Sequence, residues 1–205
     1  MATINKIILQ GGGEHARVVL DCLLASGEQV IALFDPKYSG MLMGVPQLGS
    51  YSSDFEPTAL AIVAIGDNAT RKKVVEKTHH VFTNAIHSSA IISPSVSIGV
   101  GNMILHGVIV QAQTKIGSHV IINTGAQVDH DCIIDNYAHI APGAVLCGTI
   151  HIGEGSFIGA GAIIIPGKKI GKGAVVGAGA VIINDVPDFS LAVGNPAKVI
   201  KKMVV

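Results

Sequence analysis

From Ile86 to Ile182, every sixth residue of the chain is aliphatic. The seventeen positions of this series are Ile86, Ile92, Ile98, Ile104, Val110, Ile116, Ile122, Val128, Ile134, Ile140, Leu146, Ile152, Ile158, Ile164, Ile170, Val176 and Ile182. A period of six does not fit an α-helix, whose 3.6 residues per turn would spread these side chains over every face, and a plain strand has a period of two. The series therefore predicts short strands joined by corners, with three strands closing each coil of about 18 residues around a column of aliphatic side chains.

The residues before this series predict a separate α/β domain, so we divide the chain into residues 1–84 and 85–205. Residues 6–10 and 29–34 have the apolar character of buried strands, and the segment between them has helical spacing that ends near Gly27. Gly11, Gly13 and Ala16 fit the pattern G-x-G-x-x-A after the first strand, and Asp35 closes the second. Such a turn lets a nucleotide approach the backbone, while the carboxylate can accept hydrogen bonds from a ribose or a base. A tight strand-to-helix turn without a ligand gives the same pattern, and both interpretations stay open.

A second polar loop contains Asp67 and Asn68, after a third predicted strand at residues 60–65. Both loops fall at the carboxyl ends of parallel strands, where open α/β sheets bind ligands, although capping of a helix predicted at residues 71–78 is an alternative. The domain has the size of one mononucleotide-binding half, which argues against an NAD dehydrogenase.

Composition excludes several classes of partner. Lysine plus arginine and aspartate plus glutamate number 14 each, so we expect neither nucleic acid nor an anionic membrane as partner. The mean hydropathy is +0.54, yet no unbroken apolar stretch approaches the roughly 18 residues of a membrane span. Because the N-terminus lacks the apolar region of a signal peptide, and Cys22, Cys132 and Cys147 lack metal-type spacing, we expect a cytoplasmic protein with reduced cysteines.

One histidine of the repeat lies between two carboxylates. His130 is flanked by Asp129 and Asp131 and follows the inward Val128 by two positions, so it should lie outside the column. One coil further along, Gly148 falls beside it and leaves a gap for a thin ligand. An imidazole with a carboxylate partner can accept a proton near neutral pH, which makes His130 a candidate general base. A surface histidine without a function is the alternative.

The other histidines give a weaker signal. His139 can reach the same groove only from a neighbouring face or a neighbouring subunit. His106, His119 and His151 are predicted to be solvated positions. Because the histidines of the repeat lack tight pairing, we expect no zinc site.

Several motifs together point to a family. They are the aliphatic-Gly-x-x-small-x hexads, the ending Gly194-Asn195-Pro196-Ala197-Lys198, the loop from Gly11 to Ala16, the run Ala64-Ile65-Gly66-Asp67-Asn68 with Arg71-Lys72-Lys73, and the run Val128-Asp129-His130-Asp131-Cys132. In these the chain resembles the left-handed β-helix hexapeptide acyltransferases. Among them it resembles the bacterial sugar O/N-acyltransferases, which include sialic acid O-acetyltransferases and N-acetyltransferases of nucleotide-linked 4-amino-4,6-dideoxy sugars.

The resemblance implies a fold, an assembly and a donor. The fold is a small Rossmann-like α/β domain that binds the nucleotide sugar, followed by a left-handed parallel β-helix. The assembly is a homotrimer with active sites between subunits, and acetyl-CoA is the donor.

The resemblance also implies roles for individual residues. His130 matches the general base, Asp131 the acid that orients it, and His139 a second active-site histidine near the thioester. Positions that match coenzyme A contacts are Gly148, Ala160 and Ala178. Positions that match the nucleotide loop and the base-recognising acid are Gly11, Gly13, His15 and Asp35. Asp67 and Asn68, from the second polar loop, complete the predicted substrate-binding residues.

The function implied is transfer of an acetyl group from acetyl-CoA to the amine of a nucleotide-linked amino sugar, without an acyl-enzyme. An O-acetyltransferase of sialic acid or another sugar and a non-catalytic trimeric scaffold are the alternatives. The identity of the nucleotide and of the sugar stays open.

Overall fold

A mixed five-stranded sheet with two helices forms the first part of the chain. The structure, a computed structural model, describes residues 6–202. In chain order the first elements are β1 (Lys6–Gln10), α1 (Glu14–Ala25), β2 (Gln29–Phe34), β3 (Gly40–Leu42), β4 (Val45–Leu48), β5 (Leu60–Val63) and α2 (Asn68–Val75). The strand order is β3-β4-β2-β1-β5, and every neighbouring pair is parallel except the β3–β4 hairpin. The loops after β1 and β5 therefore emerge side by side at one edge of the sheet.

The predicted bounds of β1 and β2 are confirmed, whereas β5 ends at Val63 rather than at residue 65, and two further details differ. α2 begins at Asn68, three residues earlier than predicted, because the carboxylate of Asp67 caps it by accepting a 2.8 Å hydrogen bond from the amide of Thr70. The β3–β4 hairpin was not predicted. Its two-residue turn, Met43 and Gly44, has φ values of 47° and 84°, the combination that matches the twist of a hairpin.

Seventeen two-residue strands follow in the described chain. They are β6 (Ala85–Ile86), β7 (Ile91–Ile92), β8 (Ser97–Ile98), β9 (Met103–Ile104), β10 (Ile109–Val110), β11 (Lys115–Ile116), β12 (Ile121–Ile122), β13 (Gln127–Val128), β14 (Ile133–Ile134), β15 (His139–Ile140), β16 (Val145–Leu146), β17 (His151–Ile152), β18 (Phe157–Ile158), β19 (Ile163–Ile164), β20 (Lys169–Ile170), β21 (Val175–Val176) and β22 (Val181–Ile182). A closing hairpin is formed by β23 (Ser190–Gly194) and β24 (Ala197–Lys202).

The two-residue strands form the three faces of a solenoid, and within each face these strands are parallel. The domain face contains β6, β9, β12, β15, β18 and β21 and is extended by β23 and β24; the apolar face contains β7, β10, β13, β16, β19 and β22; the polar face contains β8, β11, β14, β17 and β20. From β6 to β19, each strand pairs with the strand 18 residues later; Ile109, for example, pairs with Gln127, and Gln127 pairs with Val145. The predicted coil length is confirmed, and with it the fold class of an α/β unit followed by a hexapeptide-repeat solenoid.

The aliphatic series fills the interior of the solenoid. From Ile104 to Ile182 its members are buried, whereas Ile86 is 36% exposed because no earlier coil covers it. On the domain face, the outward side chains of Ala85, Met103 and Ile121 are also buried, since they pack with residues of α1 and β1 in a second core. The α/β unit thus lies on the domain face of the solenoid. Among the helices of residues 6–202, neither is long and apolar enough to cross a membrane.

Candidate active site

His130 lies at the corner that leads from β13 on the apolar face to β14 on the polar face. Asp131 adopts a left-handed conformation with φ of 57°, and its amide donates to the carbonyl of Ala112 at 3.0 Å. This tight corner brings the Asp131 carboxylate to its neighbour's ring, where Nδ1 of His130 and Oδ2 of Asp131 are 2.8 Å apart. Oδ1 of Asp129 accepts a further 2.8 Å hydrogen bond from the backbone amide of His130.

This pairing sets the protonation of the imidazole. The neutral ring donates its Nδ1 proton to Asp131, which leaves a lone pair on Nε2. The hydrogen bond to Asp131 and the negative charge of Asp129 raise the pKa of His130 above its ordinary value. Because both side chains of the pair are 54% exposed, Nε2 is open to a ligand.

Gly148 lies directly against this imidazole, as the 18-residue coil predicts. A Cβ at position 148 would lie 2.7 Å from both Cε1 and Nε2 of His130, so only glycine leaves the ring in place. In the described chain the Gly148 amide has no hydrogen-bond acceptor. A cavity of about 180 Å³ on the apolar face is lined by Asp129 and Cys147, the residues just before His130 and Gly148. The corner therefore offers a base, a free N–H and a groove together.

Ala160 and Ala178 lie at the opposite edge of the apolar face. Each is exposed at a corner that leads into that face, from β18 to β19 and from β21 to β22. Their amides donate no hydrogen bond to any acceptor within residues 6–202. Within one chain these two amides and His130 therefore border the same face from different sides.

His139 lies in a different environment, buried between the domain face and the α/β unit. The residue is 8% exposed, and its ring packs edge-on against Phe157, with ring centroids 5.1 Å apart. Nδ1 lies 3.2 Å from the carbonyl oxygen of Gly66, and Nε2 lies 3.2 Å from Nδ2 of Asn123. Burial, followed by the positive charge of Arg71, lowers the pKa of His139 to about 4. His139 is therefore neutral at physiological pH and does not reach the His130 corner of its own chain.

The loops after β1, β2 and β5 enclose a cavity of about 430 Å³. Its lining includes Gly11, Gly13, Glu14, His15, Asp35, Tyr38 and Gly66. Gly11 has a φ of 110°, and a Cβ there would lie 2.9 Å from the carbonyl oxygen of Ala64, so the close approach of the two loops requires glycine. Four predicted substrate residues are thus brought to one cavity.

The Asp35 carboxylate organises this cavity from within. Oδ2 accepts a 2.8 Å hydrogen bond from the Gly12 amide, and Oδ1 accepts a 2.9 Å hydrogen bond from the Lys37 amide. Since each carboxylate oxygen can accept a second hydrogen bond, Asp35 can still bind a ribose or a base. His15 lies deeper, and its Nε2 is buried without a hydrogen-bond partner in the described residues. Burial, followed by the charge of Arg71, lowers the pKa of His15 to about 4.

Asp67 and Asn68 line a neighbouring cavity of about 550 Å³, together with Gly66, His139 and Phe157. Asp67 caps α2, as the alternative interpretation predicted. Asn68 does not cap; its Nδ2 donates to the carbonyls of Gly155 at 2.9 Å and Ser156 at 3.2 Å and so ties α2 to the solenoid. Because the two cavities share Gly66, a ligand in the first can extend toward the second.

Sequence reasoning missed three residues around these cavities. Tyr38 covers the glycine loop, with its hydroxyl 3.6 Å from where a Cβ of Gly13 would be. Phe157 pairs with His139 one coil later, so the 18-residue arithmetic could have found it. Arg71 contacts both the α/β unit and the solenoid, and no pattern in the sequence signals that burial.

Comparison with known proteins agrees with this architecture. The family model described as the PglD N-terminal domain matches residues 6–78, and the bacterial transferase hexapeptide model matches residues 113–148 and 149–184. A crystal structure of a histidine mutant of perosamine N-acetyltransferase from Caulobacter crescentus, in complex with CoA and GDP-perosamine, superposes with a TM-score of 0.92. It is 42% identical, over 97% of this chain and 98% of that one. The chain belongs to this family of sugar N-acetyltransferases.

Two further relatives support the assignment to these hexapeptide-repeat N-acetyltransferases. The acetyltransferase domain of PglB from Neisseria gonorrhoeae, solved with acetyl coenzyme A, is 36% identical with a TM-score of 0.90, over 96% of this chain and 99% of that one. UDP-N-acetylbacillosamine N-acetyltransferase of Bacillus subtilis is 35% identical over 112 residues, which span 50% of this chain and 52% of that protein. The family resemblance inferred from the motifs is confirmed.

Two features of the described residues bear on the cofactor that this N-acetyltransferase can hold. The amides of Gly148, Ala160 and Ala178 donate no hydrogen bond within residues 6–202, so each can donate to an oxygen of a bound ligand. No cluster of three or more His, Cys, Asp or Glu side chains in residues 6–202 is arranged to hold a metal ion.

Proposed function

We propose that this chain transfers the acetyl group of acetyl-CoA to the amine of a nucleotide-linked amino sugar of the 4-amino-4,6-dideoxy type. The observation that carries the proposal is the His130 ring, oriented by Asp131 and placed against Gly148 with Nε2 free. The family and the ligands of the Caulobacter relative, CoA and GDP-perosamine, support it.

In this mechanism His130 is the general base. Its Nε2 takes a proton from the sugar amine as the amine nitrogen bonds to the thioester carbonyl carbon. The imidazolium is stabilised by the carboxylate of Asp131, and the pair should contribute about 10²–10⁴-fold to the rate. When the carbon–sulfur bond breaks, Nε2 returns the proton to the sulfur, so the products are an amide and free CoA thiol.

The donor lies in the groove along Gly148. The amide of Gly148 donates to the thioester oxygen as negative charge develops there, the stabilisation that an oxyanion hole provides. The amides of Ala160 and Ala178 hold the coenzyme A arm further along the solenoid.

The nucleotide of the acceptor occupies the cavity of about 430 Å³, where Gly11 and Gly13 contact the phosphates, and Asp35 accepts from the ribose or the base. His15 lines the same cavity. The sugar then extends past Gly66 toward the cavity that holds Asp67, Asn68 and His139.

The assembly we propose is a homotrimer in which a partner subunit completes each site. The outward side chains of the apolar face include Ile91, Ile109, Val145, Ile163 and Val181, of which Ile91 is 65% and Ile163 40% exposed. An apolar strip of this kind is typical of an interface. Burying it would bring the Ala160 edge of one chain toward the His130 edge of the next. We place the protein in the cytoplasm, where acetyl-CoA and nucleotide sugars are available.

Charge on the apolar face should break the trimer. Replacing Val145 and Ile163 together with lysine should give monomers in sedimentation velocity and abolish acetyl transfer, because each site then lacks its partner edge. Lys115→Glu on the polar face is the matched control and should remain trimeric and active. A double variant that sediments as the wild type would contradict this interface.

The function itself is tested by thiol release from acetyl-CoA with a panel of acceptors. We expect release with at least one 4-amino-4,6-dideoxy sugar linked to UDP, GDP or dTDP, and mass spectrometry should locate the acetyl group on nitrogen. Asp35→Ala should raise the KM for that acceptor and leave the KM for acetyl-CoA unchanged. Acetylation of sialic acid hydroxyls alone, or release with no acceptor of the panel, would overturn the proposal.

A further inference from the structure

Arg71 is a fully buried charge at the junction of the two domains. Its exposure is 0%, and within residues 6–202 no other Lys, Arg, Asp or Glu side chain is buried. Burying a charge is costly unless every hydrogen-bonding group is satisfied, so such an arginine indicates a specific task.

The guanidinium bonds to uncharged oxygens from both domains. From the α/β unit, Nη1 donates to the carbonyls of Ile65 at 3.0 Å and Gly66 at 3.2 Å. From the solenoid, Nε donates to the carbonyl of His119 at 2.9 Å and Nη2 to that of Tyr137 at 2.8 Å. Arg71 therefore fixes the loop after β5 against the corners that precede β12 and β15.

One of these carbonyl oxygens also lies within hydrogen-bond distance of His139. The oxygen of Gly66 is 3.2 Å from Nη1 of Arg71 and 3.2 Å from Nδ1 of His139. A carbonyl oxygen can accept both hydrogen bonds. The guanidinium and the imidazole thus meet at a single atom of the loop that connects the two cavities.

The contact between His139 and Asn123 decides which nitrogen of the imidazole carries the proton. The amide of Thr124 donates to Oδ1 of Asn123 at 2.8 Å, so Nδ2 of Asn123 must be the group that faces His139. Nδ2 is a donor, so Nε2 of His139 accepts and carries no proton. Nδ1 then carries the proton and donates it to Gly66.

We infer that Arg71 is a positioning residue that locks the Gly66 loop to the solenoid, fixes the Gly66 carbonyl that accepts the Nδ1–H of His139, and keeps His139 neutral. Its link to catalysis rests on the proposed function, because His139 lines the cavity assigned to the sugar. The titratable groups that face His139 are Arg71 from α2, His15 from α1 and, along the same cavity, Asp67. Of these only Arg71 places a permanent positive charge there, which opposes a second positive charge on the imidazole.

The test is nitrogen NMR of the full-length protein labelled with ¹⁵N-histidine, with His139→Gln used to assign the signal. In the wild type, His139 should show a protonated Nδ1 at neutral pH and titrate only near pH 4. In Arg71→Met, which keeps length but removes the charge, the pKa of His139 should rise by about one unit. Arg71→Lys keeps the charge but has one donor nitrogen in place of three, so it loses part of the set of hydrogen bonds that joins the α/β unit to the solenoid. Its His139 should stay neutral while the KM for the nucleotide sugar rises about tenfold and that for acetyl-CoA does not.

Lys72→Met is the matched control. Lys72 is the next residue of α2 and also joins the domains, through a 2.7 Å ion pair with Glu154, but it is exposed and does not touch Gly66. It should leave the His139 titration and both KM values unchanged. An unchanged titration in Arg71→Met, or a wild-type His139 protonated on Nε2, overturns the inference. Should Arg71→Met not fold, the wild-type tautomer and Arg71→Lys still decide. The NMR measurement needs no substrate, so it tests the role of Arg71 even if the proposed function is wrong. The thiol-release assay tests the proposed function on its own.

Discussion

Replacing His130 with alanine should lower turnover by about 10²–10⁴-fold while the fold and the affinity for both substrates persist. His130 carries the Nε2 lone pair that takes the amine proton, and alanine has no group that can accept it. The side chain is half exposed and supports no core contact, so its loss should not unfold the chain. The measurement is thiol release at saturating acetyl-CoA and acceptor, with calorimetry for binding and circular dichroism for folding.

His151→Ala provides the control for this variant. His151 is another exposed histidine of the solenoid paired with a carboxylate, Nε2 to Oδ2 of Asp135 at 2.9 Å, but it lies on the polar face. Its loss should change turnover less than about twofold, since exposed pairs of this kind contribute little. Turnover near the wild-type value in His130→Ala would refute the assignment of the base.

Adding one carbon at Gly148 should lower turnover by about 10²-fold, the loss expected when a reacting group moves by about 1 Å. The new Cβ would lie 2.7 Å from Cε1 and Nε2 of His130, and the ring must rotate away because it is the more mobile partner. The backbone itself tolerates the change, since the φ of Gly148 lies outside the left-handed region. Gly148→Ala should therefore keep the wild-type melting temperature while its turnover falls.

Gly49→Ala separates this effect from a general cost of removing a glycine. A Cβ at position 49 meets no atom within 4 Å, and its φ is not left-handed either. We expect wild-type turnover and wild-type stability in that variant. Equal activity of the Gly148 and Gly49 variants would show that the base does not lie against position 148.

The solenoid and the His130 corner could be predicted because the period of six is a local property of the sequence. Once each coil has 18 residues, the neighbour of any residue follows by addition, and Gly148 beside His130 is found in this way. The strands β1 and β2 could also be predicted, since each is a short apolar run that ends at a turn signal.

Features that depend on contact between the two domains could not be predicted. Arg71 reads as an ordinary surface residue of α2, and its burial arises only when α2 packs against corners 48 and 66 residues away. The same holds for His139, whose bond to Gly66 spans 73 residues. The prediction that His119 is solvated was wrong for the same reason, since its carbonyl accepts a hydrogen bond from Arg71 and the residue is only 5% exposed. The β3–β4 hairpin was missed for a local reason, because Met43 is an unusual residue at a left-handed turn position.

The pH dependence of kcat/KM tests the central claim most directly. A base must be neutral to act, so the rate should be constant at high pH and fall as the pH drops through the pKa of His130. That limb should lie above the ordinary histidine value of 6.5, since Asp131 and Asp129 raise the pKa. In Asp131→Asn the limb should move to lower pH, while the substrate amine titrates identically in both proteins and cancels from the comparison. A limb that does not move in Asp131→Asn would contradict the account.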